Sequence, residues 1–133
     1  MKVKYLLPAF LWSAIILFII GIPGSNIPSS SLFEIPHFDK MIHAGIFGVL
    51  SLLLCYGFFR QGKKPFSAGF SYTITIAICV IYGGLTEMYQ HFYVAGRSGD
   101  FLDFVANISG SLAGMLFFYY IRRNPQMAAY LSL

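Results

Sequence analysis

A chain of 133 residues is long enough for one compact domain, yet this one is 57% hydrophobic and only 11% charged, with a mean hydropathy of +0.70. A soluble domain of this size carries about a quarter charged residues, and a disordered chain is less apolar still, so an integral membrane protein remains. The formal charge of +4 sits in short loops and at the termini rather than in one phosphate-tracking patch, which excludes nucleic acid as a partner.

A helix needs roughly 20 apolar residues to cross about 30 Å of hydrocarbon. The first stretch that qualifies is 5–22, YLLPAFLWSAIILFIIGI. Lys2 and Lys4 before it resemble a signal-peptide n-region, but the apolar run is too long and lacks a small-x-small cleavage site, so it is expected to stay as a span. Pro23, Gly24, Pro28 and Pro36 break the chain before the second span, 40–59. Gly62 and Pro65 precede the third, 68–90, and Gly96 and Gly99 precede the fourth, 101–121. Asn124 and Pro125 stop the last helix and leave a short tail. None of these stretches alternates as barrel strands do. The expected fold is all-α: a single domain over 1–133, a polytopic four-transmembrane-helix bundle.

With four spans, Lys2, Lys4, Arg60, Lys63, Lys64, Arg122 and Arg123 share one side, and only Lys40 and Arg97 lie on the other. The positive-inside rule then puts both termini in the cytoplasm. Cys55 and Cys79 lie inside apolar runs and read as small buried hydrophobes.

The acids gather at the opposite, outer end. Glu34, Asp39, Glu87, Asp100 and Asp103 all fall there, as do His37, His43 and His91. Asp39 and His43 are four apart and share a helix face. Gly83, Glu87 and Gln90 form a stripe on the third span; Asp103, Asn107, Gly110 and Gly114 form one on the fourth. Charged groups within a bilayer are costly and turn toward partners. The second, third and fourth spans are therefore expected to converge at their outer ends, with the first packed at the side. The GxxxG of Gly110 and Gly114 continues the polar stripe and permits close packing.

Each residue also has a plainer reading. Asp100 suits the N-cap of the fourth helix, with Asp103 three residues on; Asn107 is too deep to cap. Arg97 either neutralises these aspartates or binds an anion in the Gly96–Gly99 turn before a helix N-terminus. Asp39, His43, Glu87 and Asp103 offer metal-type donors, but no metal-ligand spacing supports a site, and no metal or cofactor is expected. His43 suits a general base oriented by Asp39 or Glu87, or a histidine satisfied by a structural carboxylate. Ser31 and Ser98 are accessible hydroxyls without a nucleophile motif.

Three ordered motifs carry a family resemblance. Asp39-Lys40-Met-Ile-His43 resembles the D-K-x-x-H opening of VanZ-like membrane proteins. Glu87-Met-Tyr-Gln90 resembles their E-x-x-Q element. Gly96-Arg97-Ser98 to Asp103, with Asn107-Ile-Ser-Gly110, resembles their G-R…D…N-x-x-G segment. Ala95 stands where the family often has Pro. The resemblance implies a small protein of the bacterial plasma (inner) membrane, in a family linked to resistance to the glycopeptide teicoplanin. It also implies that Asp39, Lys40, His43, Glu87, Gln90, Arg97, Asp103 and Asn107 form one functional cluster.

The leading functional expectation is a cell-envelope protein whose outer-face cluster binds a membrane lipid, a lipid-linked wall precursor or a glycopeptide antibiotic; a homo-oligomer is compatible with this. The rival is a membrane-embedded enzyme using His43 and a carboxylate for acid–base chemistry. The third reading is structural: polar contacts that hold the bundle together.

Overall fold

The structure, a computed structural model, describes residues 3–26, 37–61 and 67–131. Its helices are α1 (Leu7–Ile20), α2 (Phe38–Phe59), α3 (Ala68–Tyr93), α4 (Phe101–Arg123) and α5 (Pro125–Tyr130), with short 3-10 turns at Val3–Tyr5 and Gly24–Asn26. Lys2, Pro28, Ser31, Glu34, Pro36, Gly62, Lys63, Lys64 and Pro65, singled out in the sequence, lie outside the described residues.

Among the described residues three helices, α2, α3 and α4, are long and apolar enough to cross a membrane. The chain is thus an all-α, multi-span membrane protein. The first helix is shorter than the expected 5–22. Its 14 residues rise about 21 Å at 1.5 Å each, less than the ~30 Å of hydrocarbon. Pro8 in its first turn favours a helix start there, and the chain turns at Gly21 into the 3-10 segment. The chain on either side of α1 still touches both ends of the bundle. Leu6 and the Tyr5 carbonyl press on Gly57 of α2. At the far end the Gly24 amide donates to the Ala95 carbonyl at 3.0 Å.

The long helices are inside-out relative to those of a soluble protein. On α3 the buried face is Ser71, Thr75, Cys79, Gly83, Thr86, Glu87 and Gln90, while Phe70, Ile81, Leu85, Met88 and Phe92 face outward. Lipid tails solvate large apolar side chains well. Close helix contact therefore depends on small residues and on hydrogen bonds. The stripes expected on α3 and α4 are both buried faces.

The most extensive contact joins α2 and α4, which run parallel. A Cβ added at Gly110 would fall on the Ala44 carbonyl, and one at Gly114 on the Gly48 carbonyl. The two backbones thus meet directly where the sequence places GxxxG. Helix α1 packs at the side, against α2 and α3, with Ile16 and Ile20 fully buried in a core that includes Phe47 and Leu50. Trp12 Nε1 donates to the Ile46 carbonyl at 2.9 Å and the Tyr82 hydroxyl to the Ser13 carbonyl at 2.6 Å.

The stop at Asn124 and Pro125 is a helix boundary but not the start of an extended tail. Asn124 accepts from the amides of Gln126 and Met127, and Pro125 begins the short α5.

Candidate functional site

The N-terminal ends of α2 and α4 and the C-terminal end of α3 meet at one end of the bundle, here called the acidic end. Lys40, in the first turn of α2, is its hub. Its Nζ lies 3.1 Å from Asp39 Oδ2, 2.9 Å from Asp100 Oδ2 and 3.0 Å from Asp103 Oδ1. The three contacts differ in burial. The Asp103 side chain is only 11% exposed, whereas those of Asp39 and Asp100 are 48% and 42% exposed. The Asp103 pair therefore joins α2 to α4 in the interior, and the other two form a solvated rim. Among the described residues no group of three or more His, Cys, Asp or Glu side chains is arranged to hold a metal ion. The ammonium itself occupies the space between the aspartates.

Asp100 does cap α4, accepting from the Leu102 amide at 2.9 Å. It also does more than the sequence suggests. Besides reaching Lys40, it donates its backbone N–H to Glu87 Oε2 at 3.2 Å, tying the 97–100 turn to α3. The Lys40 contact, followed by the Leu102 amide, holds its carboxyl below the usual carboxylate value. Asp100 is missing from the eight residues expected to cluster because one role, the cap, accounts for its sequence position. The hint is the second aspartate three residues on, both within reach of Lys40.

One turn deeper lies a second layer. Asn107 Nδ2 donates to Glu87 Oε1 at 3.1 Å. That orientation turns Asn107 Oδ1 toward His43 Nδ1, 3.1 Å away. Since an amide oxygen only accepts, His43 carries its proton on Nδ1. Glu87 Oε1 is 3.5 Å from the same nitrogen. The partner of His43 is thus Glu87 through Asn107, and Asp39 instead pairs with Lys40. All three side chains are buried. Gly83 packs beside this layer: a Cβ there would sit in ordinary contact, 3.4 Å from Asn107 Cβ and from Phe47.

Two expected members stand apart. Gln90 is buried but donates to the Ile20 carbonyl at 3.3 Å, tying α3 to α1. Arg97 makes no ion pair with the aspartates among the described residues, and its Nε is buried without a hydrogen-bond partner. The turn that carries it is closely packed: Gly96 takes φ +72°, a conformation glycine adopts without cost, and its neighbour Ala95 holds Gly24. Ser98 is exposed in the same turn.

A membrane-spanning helical bundle with a buried Asp–Lys–His–Glu–Asn network at one end is the class of protein these features define. The VanZ/LLP1 family pattern matches residues 5–122, and the chain belongs to that family. It is 27% identical over 125 residues to the uncharacterized protein C11E3.10 of Schizosaccharomyces pombe (strain 972 / ATCC 24843), covering 89% of this chain and 74% of the yeast protein. No solved structure matches it.

Proposed function

We propose that this protein is a single four-span unit of a bacterial plasma membrane that binds the polar headgroup of an envelope lipid at its acidic end. In this reading α1 and its flanks complete the fourth crossing. The basic end faces the cytoplasm by the positive-inside rule, and the acidic end faces out.

The observation that carries the reading is the contrast between Lys40 and Arg97. Lys40 is fully engaged by carboxylates. Arg97 makes no ion pair with a carboxylate among the described residues, and its Nε is buried without a hydrogen-bond partner. A buried guanidinium nitrogen without an acceptor is costly, and a phosphate oxygen would satisfy it. The remaining site residues act as a scaffold that fixes the turn. Among candidate ligands, a phospholipid headgroup is one that a yeast membrane also supplies, which favours it over a bacterial wall precursor or a glycopeptide. A protein holding such lipids at the outer surface would alter how a lipophilic antibiotic reaches its target.

The acid–base reading has its own support in His43, anchored at Nδ1 with Nε2 left as the basic nitrogen. Its burial, at 4% exposure, favours the binder, and among the described residues its ring pairs with Asn107 and Glu87.

The test is native mass spectrometry of the protein released from membranes with its lipids. Arg97→Gln is expected to lose retained phospholipid while its melting temperature stays within about 2 °C of the parent. A Glu87→Gln variant that stays folded and retains lipid, yet abolishes turnover of an envelope lipid, would establish the enzyme instead. Retention unaffected by Arg97→Gln would refute the binding site.

A further inference from the structure

Beside the acidic network, between the C-terminal turns of α3 and the first turns of α4, lies a cavity of about 270 Å³. Its wall is Glu87, Met88, His91, Phe92, Gly99, Asp100, Phe101 and Phe104. This volume is below the usual range of about 300–1,000 Å³ for drug-sized ligands and suits a small group.

The wall is built rather than incidental. A Cβ at Gly99 would come within 2.7 Å of the Glu87 carbonyl and 3.2 Å of His91 Cβ, so only glycine lets the turn lie this close to α3. The Asp100 amide bond to Glu87 then fixes that turn. The His91 ring stands edge-on to Phe92, with centroids 4.8 Å apart at 88°, which orients one side of the opening. Phe92, in the last turn of α3, and Phe101, at the start of α4, are both mostly exposed.

The chemistry of the wall selects one sign of charge. Among the described residues it contains three phenylalanines and two acidic residues and neither lysine nor arginine. Behind it stand Asp39 and Asp103, with Lys40 the only cation among them. An anion finds two carboxylates on this wall and no lysine or arginine among its described residues. A cation finds two carboxylates and three phenyl rings within reach.

We propose that this cavity holds the ammonium group of a zwitterionic phospholipid, the phosphate of the same headgroup lying toward Arg97. The inference rests on the headgroup-binding reading and adds the class of lipid. The position at the end of two spans excludes a soluble amine as the natural occupant, because an ammonium tethered to acyl chains is delivered there at high effective concentration. Phe101 and Phe104 belong to the first turn of the helix that Asp100 caps, so the residue that closes the network also positions the rings.

The test uses the full chain in detergent, titrated with phosphatidylcholine, phosphatidylethanolamine or phosphatidylglycerol of identical acyl chains, and read by native mass spectrometry. The zwitterionic lipids are expected to bind on the order of tenfold more tightly than phosphatidylglycerol. Phe104→Leu and Phe101→Leu keep the bulk but remove the ring, and each is expected to cut that preference about fivefold. Melting curves identify any variant that misfolds, and the second substitution serves if one does. Phosphatidylglycerol bound as well as the zwitterionic lipids, still sensitive to Arg97→Gln, would overturn the ammonium pocket and leave the phosphate site standing. Loss of all lipid selectivity and of the Arg97 dependence would overturn both.

Discussion

The two ends of the bundle handle charge in opposite ways. At the acidic end Lys40 is enclosed by three carboxylates from two segments of the chain, and Glu87 and Asn107 join α3 to α4. At the other end the cations lie on aromatic rings. Arg60 sits over Tyr5 at 4.9 Å, Arg122 over Phe59 at 4.5 Å and Arg123 over Tyr119 at 4.9 Å. The sequence offers no acid there to pair with them. Charges paired to each other hold helices together. Arg60 also donates to the Leu131 carbonyl at 3.3 Å, whereas Arg122 and Arg123 are exposed beyond their ring contacts. One end is therefore a joint, and the other an anchor.

The comparison breaks most directly at Lys40. Lys40→Met keeps the length of the side chain but leaves Asp103 mostly buried and unpaired. Removing one partner of a fully buried pair costs about 3–5 kcal/mol; with two of the three aspartates on a solvated rim, about 2 kcal/mol is expected. Thermal unfolding in detergent measures it. A double change, Lys40→Met with Asp103→Leu, is expected to recover part of the loss because no buried charge is then stranded. A Lys40→Met melting curve that matches the parent would mean that packing, not charge, makes the joint.

Much of this joint is legible in the sequence, because membrane burial makes every polar residue conspicuous. Asp103 and Asn107, four apart on α4, and Glu87 on α3 have few stable places to go except toward each other. The GxxxG of α4 also announces its close contact, and its partners on α2, Ala44 and Gly48, are themselves small residues four apart. What the sequence hides are contacts made by backbone groups. Gln90 reads as a member of the polar cluster, yet its acceptor is the Ile20 carbonyl, at a helix end where carbonyls lack helical partners. Asp100 is under-read for the same reason, since its backbone N–H carries the link to Glu87. The length of α1 is hidden differently: hydropathy sees an apolar run, but Pro8 and Gly21 set where its helix begins and ends.

The anchor is expected to yield less. Arg122→Ala removes the contact with Phe59 and costs about 0.5–1 kcal/mol at such an exposed site. The same unfolding measurement reads it, and the result sharpens the contrast if the Lys40 variant loses at least twice as much. A loss equal to that of Lys40→Met would make both ends joints.

The smallest effect is a pH dependence confined to the joint. The Asp100 carboxyl titrates below its ordinary value of 3.8, chiefly because of the Lys40 ammonium and then the Leu102 amide. A carboxyl depressed on folding binds fewer protons in the native state than in the unfolded one. Its stabilisation is therefore complete above about pH 5 and is lost as pH falls through 3.8 toward the lower native value. Asp100→Asn keeps a capping oxygen but removes this titration. Its melting temperature is expected to fall less between pH 5 and pH 3 than the parent's, while Arg122→Ala keeps the parent's slope. Identical slopes in all three proteins would show that the Lys40–Asp100 contact on the solvated rim contributes nothing to the joint.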